Sequence, residues 1–396
     1  MIWSNRVDAT LAANRLTTTL AALRSEGRPI IDLTLSNPTL AGVQYPPGLL
    51  NPLAGARGLV YRPEPFGLRE AREAVAADFE RRGVSVSAGR IVLTASTSEA
   101  YSLLFKVLCD PGADVLVPRP SYPLLDHLAR LDAIHPRFYD LEYHDRWSID
   151  LAAVERAFTP AVRAIVVVSP NNPTGSRIRR DELDWLDRFA FEHDAALIVD
   201  EVFADYDLTG ASGLERGVPL RAESSSLVFS LGGLSKSIGL PQAKLAWIAA
   251  GGPSTIVDEA LARLEFAADA YLSVSTPVQE AAADLLRTGG VIRAQIQERV
   301  ASNYHHLVRS VPQESGCTTL HAEGGWYAVV RVPAIASEED LVLSLLEGDG
   351  VLTHPGYFFD FQRGAHIVVS LLPAPEPFRE GVARLIRHFA CTPGGA

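Results

Sequence analysis

The sequence predicts an α/β protein, with a large domain built on a mainly parallel central sheet and a smaller α+β domain after it. Three observations lead there. From about residue 90 to residue 250, short apolar runs alternate with segments of helical period. Beyond about residue 290 that alternation gives way to a long amphipathic segment, spaced strands and a closing helix. A chain of 396 residues also exceeds what one hydrophobic core usually holds.

Residues 1–45 are expected to form an N-terminal segment contributing to the small domain, with the Pro-rich stretch Pro38 to Pro52 as the link onward. Residues 46–287 then form the large domain. Within it Ile91–Thr94, Val115–Val117, Ala164–Val168, Ala196–Val199, Leu227–Ser230 and Leu245–Ala249 read as buried strands. Each is a short, continuous apolar run rather than an alternating one. Arg180–His193 carries a helical period between two of them. Strands alternating with helices imply a parallel sheet covered on both faces. Helical patterns around 253–268 and from 277 close this domain. In the small domain, 288–396, an amphipathic segment near 290–310 precedes strands at Trp326–Val332 and Ile367–Leu371 and a helix around 376–389.

The composition, 47% hydrophobic and 21% charged, is that of a globular protein. A net charge of −11 argues against nucleic acid or an anionic membrane as the main partner. No apolar run is long enough to span a bilayer, and Met1–Arg6 lacks the layout of a signal peptide. The cysteines, Cys109, Cys317 and Cys391, are odd in number and far apart, which fits a reducing cytoplasm and implies neither disulfides nor a metal site. His305 and His306 lack acidic or cysteine neighbours and read as non-metal residues. Lysine occurs only as Lys106, Lys236 and Lys244, so chemistry that needs a primary amine has three side chains to choose from.

In sheets of this type ligands bind beyond the carboxyl ends of the strands. Thr94-Ala95-Ser96-Thr97-Ser98-Glu99 follows the first strand and opens a helix. Its N–H groups and hydroxyls would suit a phosphate, and they equally suit an ordinary N-cap. Asn171-Asn172-Pro173-Thr174-Gly175 follows the strand ending at Val168; as a bare turn it needs no function. Asp200-Glu201 follows Leu197–Val199 and reads either as site-facing or as a solvated loop. Gly232-Gly233-Leu234-Ser235-Lys236 follows Val228–Ser230, and a lysine in such a turn is also a common surface feature.

Together, in this order, these motifs resemble the class I/II (fold-type I) pyridoxal-phosphate-dependent aminotransferase family across nearly the whole chain. Tyr61 with Phe66-Gly67-Leu68-Arg69, the Thr94–Glu99 loop, Pro120-Ser121-Tyr122-Pro123, Asn171–Gly175, Asp200-Glu201-Val202-Phe203 and Ser235-Lys236 carry the resemblance. It implies the fold-type I architecture and pyridoxal 5′-phosphate as cofactor. Lys236 would hold the cofactor as a Schiff base and then shuttle a proton as general base and acid. Asp200 would keep the pyridine nitrogen protonated, Asn172 would donate to the ring oxygen, and Tyr122 would stack on the ring. Thr97, Ser98 and Ser235 would hold the phosphate, with Tyr61 reaching over from a second subunit. That last role implies a homodimer with shared active sites.

Several positions depart from the family pattern. Phe203 stands where the family usually has Tyr, removing a donor worth about 1.5–3 kcal/mol to a charged acceptor. Lys244 stands where the family has an Arg on the phosphate, keeping the charge but not the fork. Gly233 replaces a hydroxyl. Val368 occupies the position of the Arg that pairs the substrate carboxylate, which leaves His366, on the same face of the strand, Arg363 and Arg15 as candidates. Asn37 and Tyr271 are further candidates for the substrate pocket. The segment Tyr271-Leu272-Ser273-Val274-Ser275 carries no Arg, which disfavours a dicarboxylic substrate. The expected reaction is amino transfer between an L-amino acid, neutral or aromatic, and a 2-oxo acid. The alternative is a lyase, cyclase or oxidase using the same cofactor.

Overall fold

A computed structural model describes residues 3–7, 13–210, 216–312 and 315–390. Cys391 lies outside them; Cys109 and Cys317 are buried. The large sheet has eight strands in the order 91–94, 246–251, 228–233, 196–200, 162–168, 114–119, 135–143 and 147–149. The run from 228–233 to 135–143 is parallel, 246–251 is antiparallel to both neighbours, and 147–149 pairs antiparallel at the far edge.

The apolar runs make central strands because alternate residues serve opposite faces. Val117, Val166 and Ile198 pack on one side against the helices Thr97–Leu108 and Ser254–Asp269. Leu116, Ile165 and Leu197 pack on the other against Arg180–Glu192. Each of the six expected large-domain runs falls on a strand: Ile91–Thr94 matches its strand at both ends, while the other five differ at one end or both. The long strand His135–Tyr143 escaped the sequence reading because only Tyr139 in it is fully buried, so no apolar run marks it.

The second sheet is antiparallel, in the order 318–319, 327–332, 365–370, 354–355. Ile31–Asp32 pairs parallel with Val351–Leu352, which ties the N-terminal segment to this part of the chain. Sequence periodicity suggested separate helices around residue 277 and near 290–310. One helix instead runs unbroken over Thr276–Ser310, through the expected boundary at 287/288. Gly289 lies in this helix at a close approach: a Cβ on it would lie 2.7 Å from the Ile238 side chain. Among the described residues no helix is long and apolar enough to cross a membrane.

Candidate active site

A cavity of about 590 Å³ opens beyond the carboxyl ends of the parallel strands, lined by Val168, Asp200 and Gly233, each the last residue of its strand. Lys236 sits in the cavity wall on the single turn Leu234–Ser237. That turn is anchored from below. The Tyr206 hydroxyl donates to the carbonyls of Lys236 and Ser237. Arg293 Nε donates to the Ser237 carbonyl at 3.0 Å, and the same guanidinium pairs with Asp78 at 3.0 Å and Asp205 at 3.3 Å. The Lys236 Nζ lies 5.0 Å from the Trp326 ring centroid and 5.7 Å from that of Phe203. Burial lowers its pKa, and the charge of Asp200 opposes that shift.

Asp200 accepts from the Val202 N–H at 3.1 Å and from the Tyr101 hydroxyl at 3.0 Å. Burial nevertheless outweighs both donors and pushes its pKa up to about 6. The cavity thus holds an amine whose pKa burial lowers and a carboxylate whose pKa burial raises, each opposed by the other's charge.

In the 171–175 loop the two asparagines divide the work. Asn171 is structural: its Nδ2 donates to the Pro120 carbonyl at 3.0 Å and to Thr174 Oγ1 at 2.9 Å. Asn172 lines the cavity, and its buried Oδ1 has no partner. Gly175 is required by its φ of +70° and because a Cβ would lie 2.6 Å from that of Ala322.

The helix at Thr97–Leu108 is capped by Ser96, whose Oγ accepts from the Glu99 N–H at 3.2 Å, while Glu99 accepts from the Ala95 N–H at 2.6 Å. The capping role therefore falls to Ser96 and Glu99. The N–H groups of Thr97 and Ser98, in the first turn, have no acceptor among the described residues. Ser96, Thr97, Ser98 and Ser235 line one part of the cavity, and the half-exposed Tyr122 forms part of its wall.

The other sequence candidates lie elsewhere. Lys244 is exposed, in left-handed backbone (φ +52°), and does not line the cavity. Tyr61 is 74% exposed and borders a separate depression of about 250 Å³ with Arg62 and Leu272. Tyr271 is exposed outside both. Asn37 is exposed and closes a turn onto the Thr39 N–H, while its neighbour Ser36 lines the cavity. His366 is buried away from the cavity, stacked on Phe361 with centroids 4.4 Å apart; its Nδ1 has no hydrogen-bond partner among the described residues and lies 3.9 Å from Glu338 Oε1, and burial pushes its pKa down to about 4. Arg15 pairs with Glu339 and Asp340 at the surface, and Arg363 is exposed.

The structure adds residues that the sequence reading did not single out: Tyr101, Trp326, Tyr327, His354, Phe358 and Phe359. Tyr101 was legible in principle, since it lies one helical turn beyond Thr97 and so shares its face. His354 was not, because a lone histidine on a two-residue strand carries no pattern.

A buried amine and a buried acid at the strand ends, facing a helix N-terminus open to an anion, define an α/β enzyme site for a phosphorylated carbonyl cofactor. The chain belongs to the family described as aminotransferase class I and II, whose model matches residues 55–376. It is 28% identical to nicotianamine aminotransferase A of Hordeum vulgare over 333 residues, covering 81% of this chain and 70% of that protein. It is 26% identical to alanine aminotransferase of Mycobacterium tuberculosis over 386 residues, 92% and 86% of the two chains. In structure it is similar to alanine aminotransferase of Pyrococcus furiosus, with a TM-score of 0.86 at 24% identity, covering 98% of this chain and 99% of that one. The family depends on pyridoxal 5′-phosphate and transfers amino groups, which does not favour the lyase, cyclase or oxidase alternative.

The residues fit that cofactor. An aldehyde needs a neutral amine, a pyridine nitrogen needs a buried acid, a ring oxygen needs an amide, and a phosphate needs unpaired N–H groups. Within one cavity Lys236 would offer the amine, Asp200 the acid, the Nδ2 of Asn172 a donor, and the turn Thr97-Ser98 free N–H groups.

Proposed function

We propose that Lys236 carries pyridoxal 5′-phosphate and that this site transfers the amino group of a neutral or aromatic L-amino acid to a 2-oxo acid. The observation that carries this is that Lys236 and Asp200 line one cavity, an amine whose pKa burial lowers and an acid whose pKa burial raises to about 6. When bound, the cofactor supplies an aldehyde for the donor's amino group and a ring that draws electrons from its α-carbon. Lys236 Nζ would serve as the base and acid that moves the donor's α-proton, a task that suits an amine whose pKa burial has lowered. Asp200 Oδ atoms hold the ring-nitrogen proton, and Tyr101 and the Val202 N–H hold Asp200.

Asn172 would serve the ring oxygen and Tyr122 the ring face. The N–H groups and hydroxyls of Thr97, Ser98 and Ser235 would take the phosphate. In a homodimer the exposed Tyr61 of one chain would reach the phosphate of the other, and Lys244 would add charge near it. Tyr271 would lie at that interface, and Asn37 would hold the turn that presents Ser36 to the cavity. A neutral or aromatic donor is supported by the apolar wall of Leu124, Leu125, Leu128, Phe358 and Phe359. The names of relatives vary: alanine recurs among them, beside glutamate-pyruvate and aspartate aminotransferases.

Borohydride treatment of the holoenzyme, followed by peptide mapping, should find a stable pyridoxyl adduct on Lys236. Lys236→Ala should lose the adduct and about 10²–10⁴-fold in turnover. An adduct on Lys106 or Lys244 instead, or full turnover in the variant, would overturn the reading.

A further inference from the structure

We propose that His354 is the residue that binds the substrate's carboxylate, an assignment that rests on the aminotransferase reading of the cavity. The strand His354–Pro355 pairs antiparallel with Ala365–Ser370, and its register sets His354 directly opposite Val368. The side chain lines the same cavity as Lys236 and Asn172. Phe358 and Phe359 flank the imidazole, with centroids 6.0 and 5.8 Å away, and fix its orientation without using its nitrogens. Neither ring nitrogen bonds a described residue, so both remain available to a ligand. Val368 itself is wholly buried in the core and offers nothing polar.

Charge narrows the choice. Among the described residues lining the cavity, Lys236 and His354 are the ones that can carry positive charge, and Lys236 is engaged by the cofactor. Burial lowers the pKa of His354, and the carboxylate of Asp32, on the neighbouring segment, opposes this. Glu338 is turned away, accepting from the backbone N–H groups of Tyr357 and His366. Across the cavity Lys236 and Asp200 offset one another, and Tyr327 is kept neutral by burial. An arriving carboxylate is then the strongest new influence on the ring, and it favours the imidazolium. A histidine in place of a guanidinium makes carboxylate binding depend on pH, as a permanent cation does not.

The test uses holoenzyme and three matched pairs of probes: L-phenylalanine with 2-phenylethylamine, L-leucine with isopentylamine, and L-alanine with ethylamine. The change in cofactor absorbance is titrated for each. Wild type should bind the amino acid of a pair more tightly than its amine, and that preference should shrink between pH 6 and pH 8. His354→Leu should weaken the amino acid about 10- to 100-fold, as loss of a charged hydrogen bond implies. It should leave the amine unchanged, which a merely structural role would not do. His354→Arg should restore the preference and remove its pH dependence. Unaltered discrimination in His354→Leu, or equal loss for amine and amino acid, would overturn the proposal. A wild type that transfers from none of the three amino acids, nor from any other L-amino acid, would instead overturn the aminotransferase reading on which it rests.

Discussion

The hydroxyl of Tyr101 donates to Oδ2 of Asp200 at 3.0 Å, joining the helix that opens at Thr97 to the end of the strand Ala196–Asp200. The helix whose first turn lines the cavity thus also steadies the cavity's carboxylate. Tyr101→Phe should leave Asp200 with the Val202 N–H alone and raise its pKa further. A hydrogen bond to a charged group contributes about 1.5–3 kcal/mol. Cofactor dissociation, followed by fluorescence on the apoenzyme, should therefore weaken about ten-fold or more, with a parallel fall in kcat. If both hold at wild-type values, the contact has no functional weight.

Phe203 is buried against Trp326, with its ring centroid 5.7 Å from Lys236 Nζ. It offers no donor where a phenol would stabilise the deprotonated Schiff base. Phe203→Tyr should lower the Schiff-base pKa by about one to two units, the equivalent of one charged hydrogen bond. Absorbance titration of the two proteins checks this, and superimposable curves would remove the argument.

Gly289 and Gly290 are adjacent in one helix but should respond oppositely to alanine. A Cβ at Gly289 would meet Ile238 side-chain atoms at 2.7–2.8 Å, whereas one at Gly290 would meet nothing within 4 Å. Gly289→Ala should destabilise by about 1–3 kcal/mol, through overpacking, and disturb the turn carrying Lys236. Gly290→Ala should stabilise by about 0.5–1 kcal/mol, since alanine is the better helix former. Urea unfolding of both variants reads the difference, and changes of equal sign would contradict it.

His366 gives the fold a pH dependence of its own. Its pKa is about 4 in the folded protein against 6.5 for the ordinary side chain, so the unfolded chain binds the proton more readily. Its contribution to stability is complete above about pH 6.5 and is lost as pH falls toward 4. His366→Phe keeps a ring against Phe361 and removes the titrating imidazole, whose Nδ1 lies 3.9 Å from Glu338 Oε1. Relative to wild type it should gain about 2–3 kcal/mol between pH 7 and pH 4.5. Denaturant unfolding at the two pH values measures this, and parallel losses in both proteins would refute it.

By itself the sequence determined the sheet, the cofactor chemistry and the family. Short apolar runs such as Ala164–Val168, alternating with helical segments, read as strands buried on both faces, and polar residues directly after them then gather at one end of a parallel sheet. Local chemistry of this kind is written in neighbouring residues. What only tertiary structure decided is where distant residues meet. His366 and Val368 share a strand, yet the neighbouring strand brings His354 into the cavity, and a pairing register leaves no trace in a two-residue segment. Likewise the need for glycine at 289 comes from Ile238, far away in the chain, whose side chain leaves no room for a Cβ. Close packing and strand register depend on partners remote in sequence, so no local pattern could have announced them.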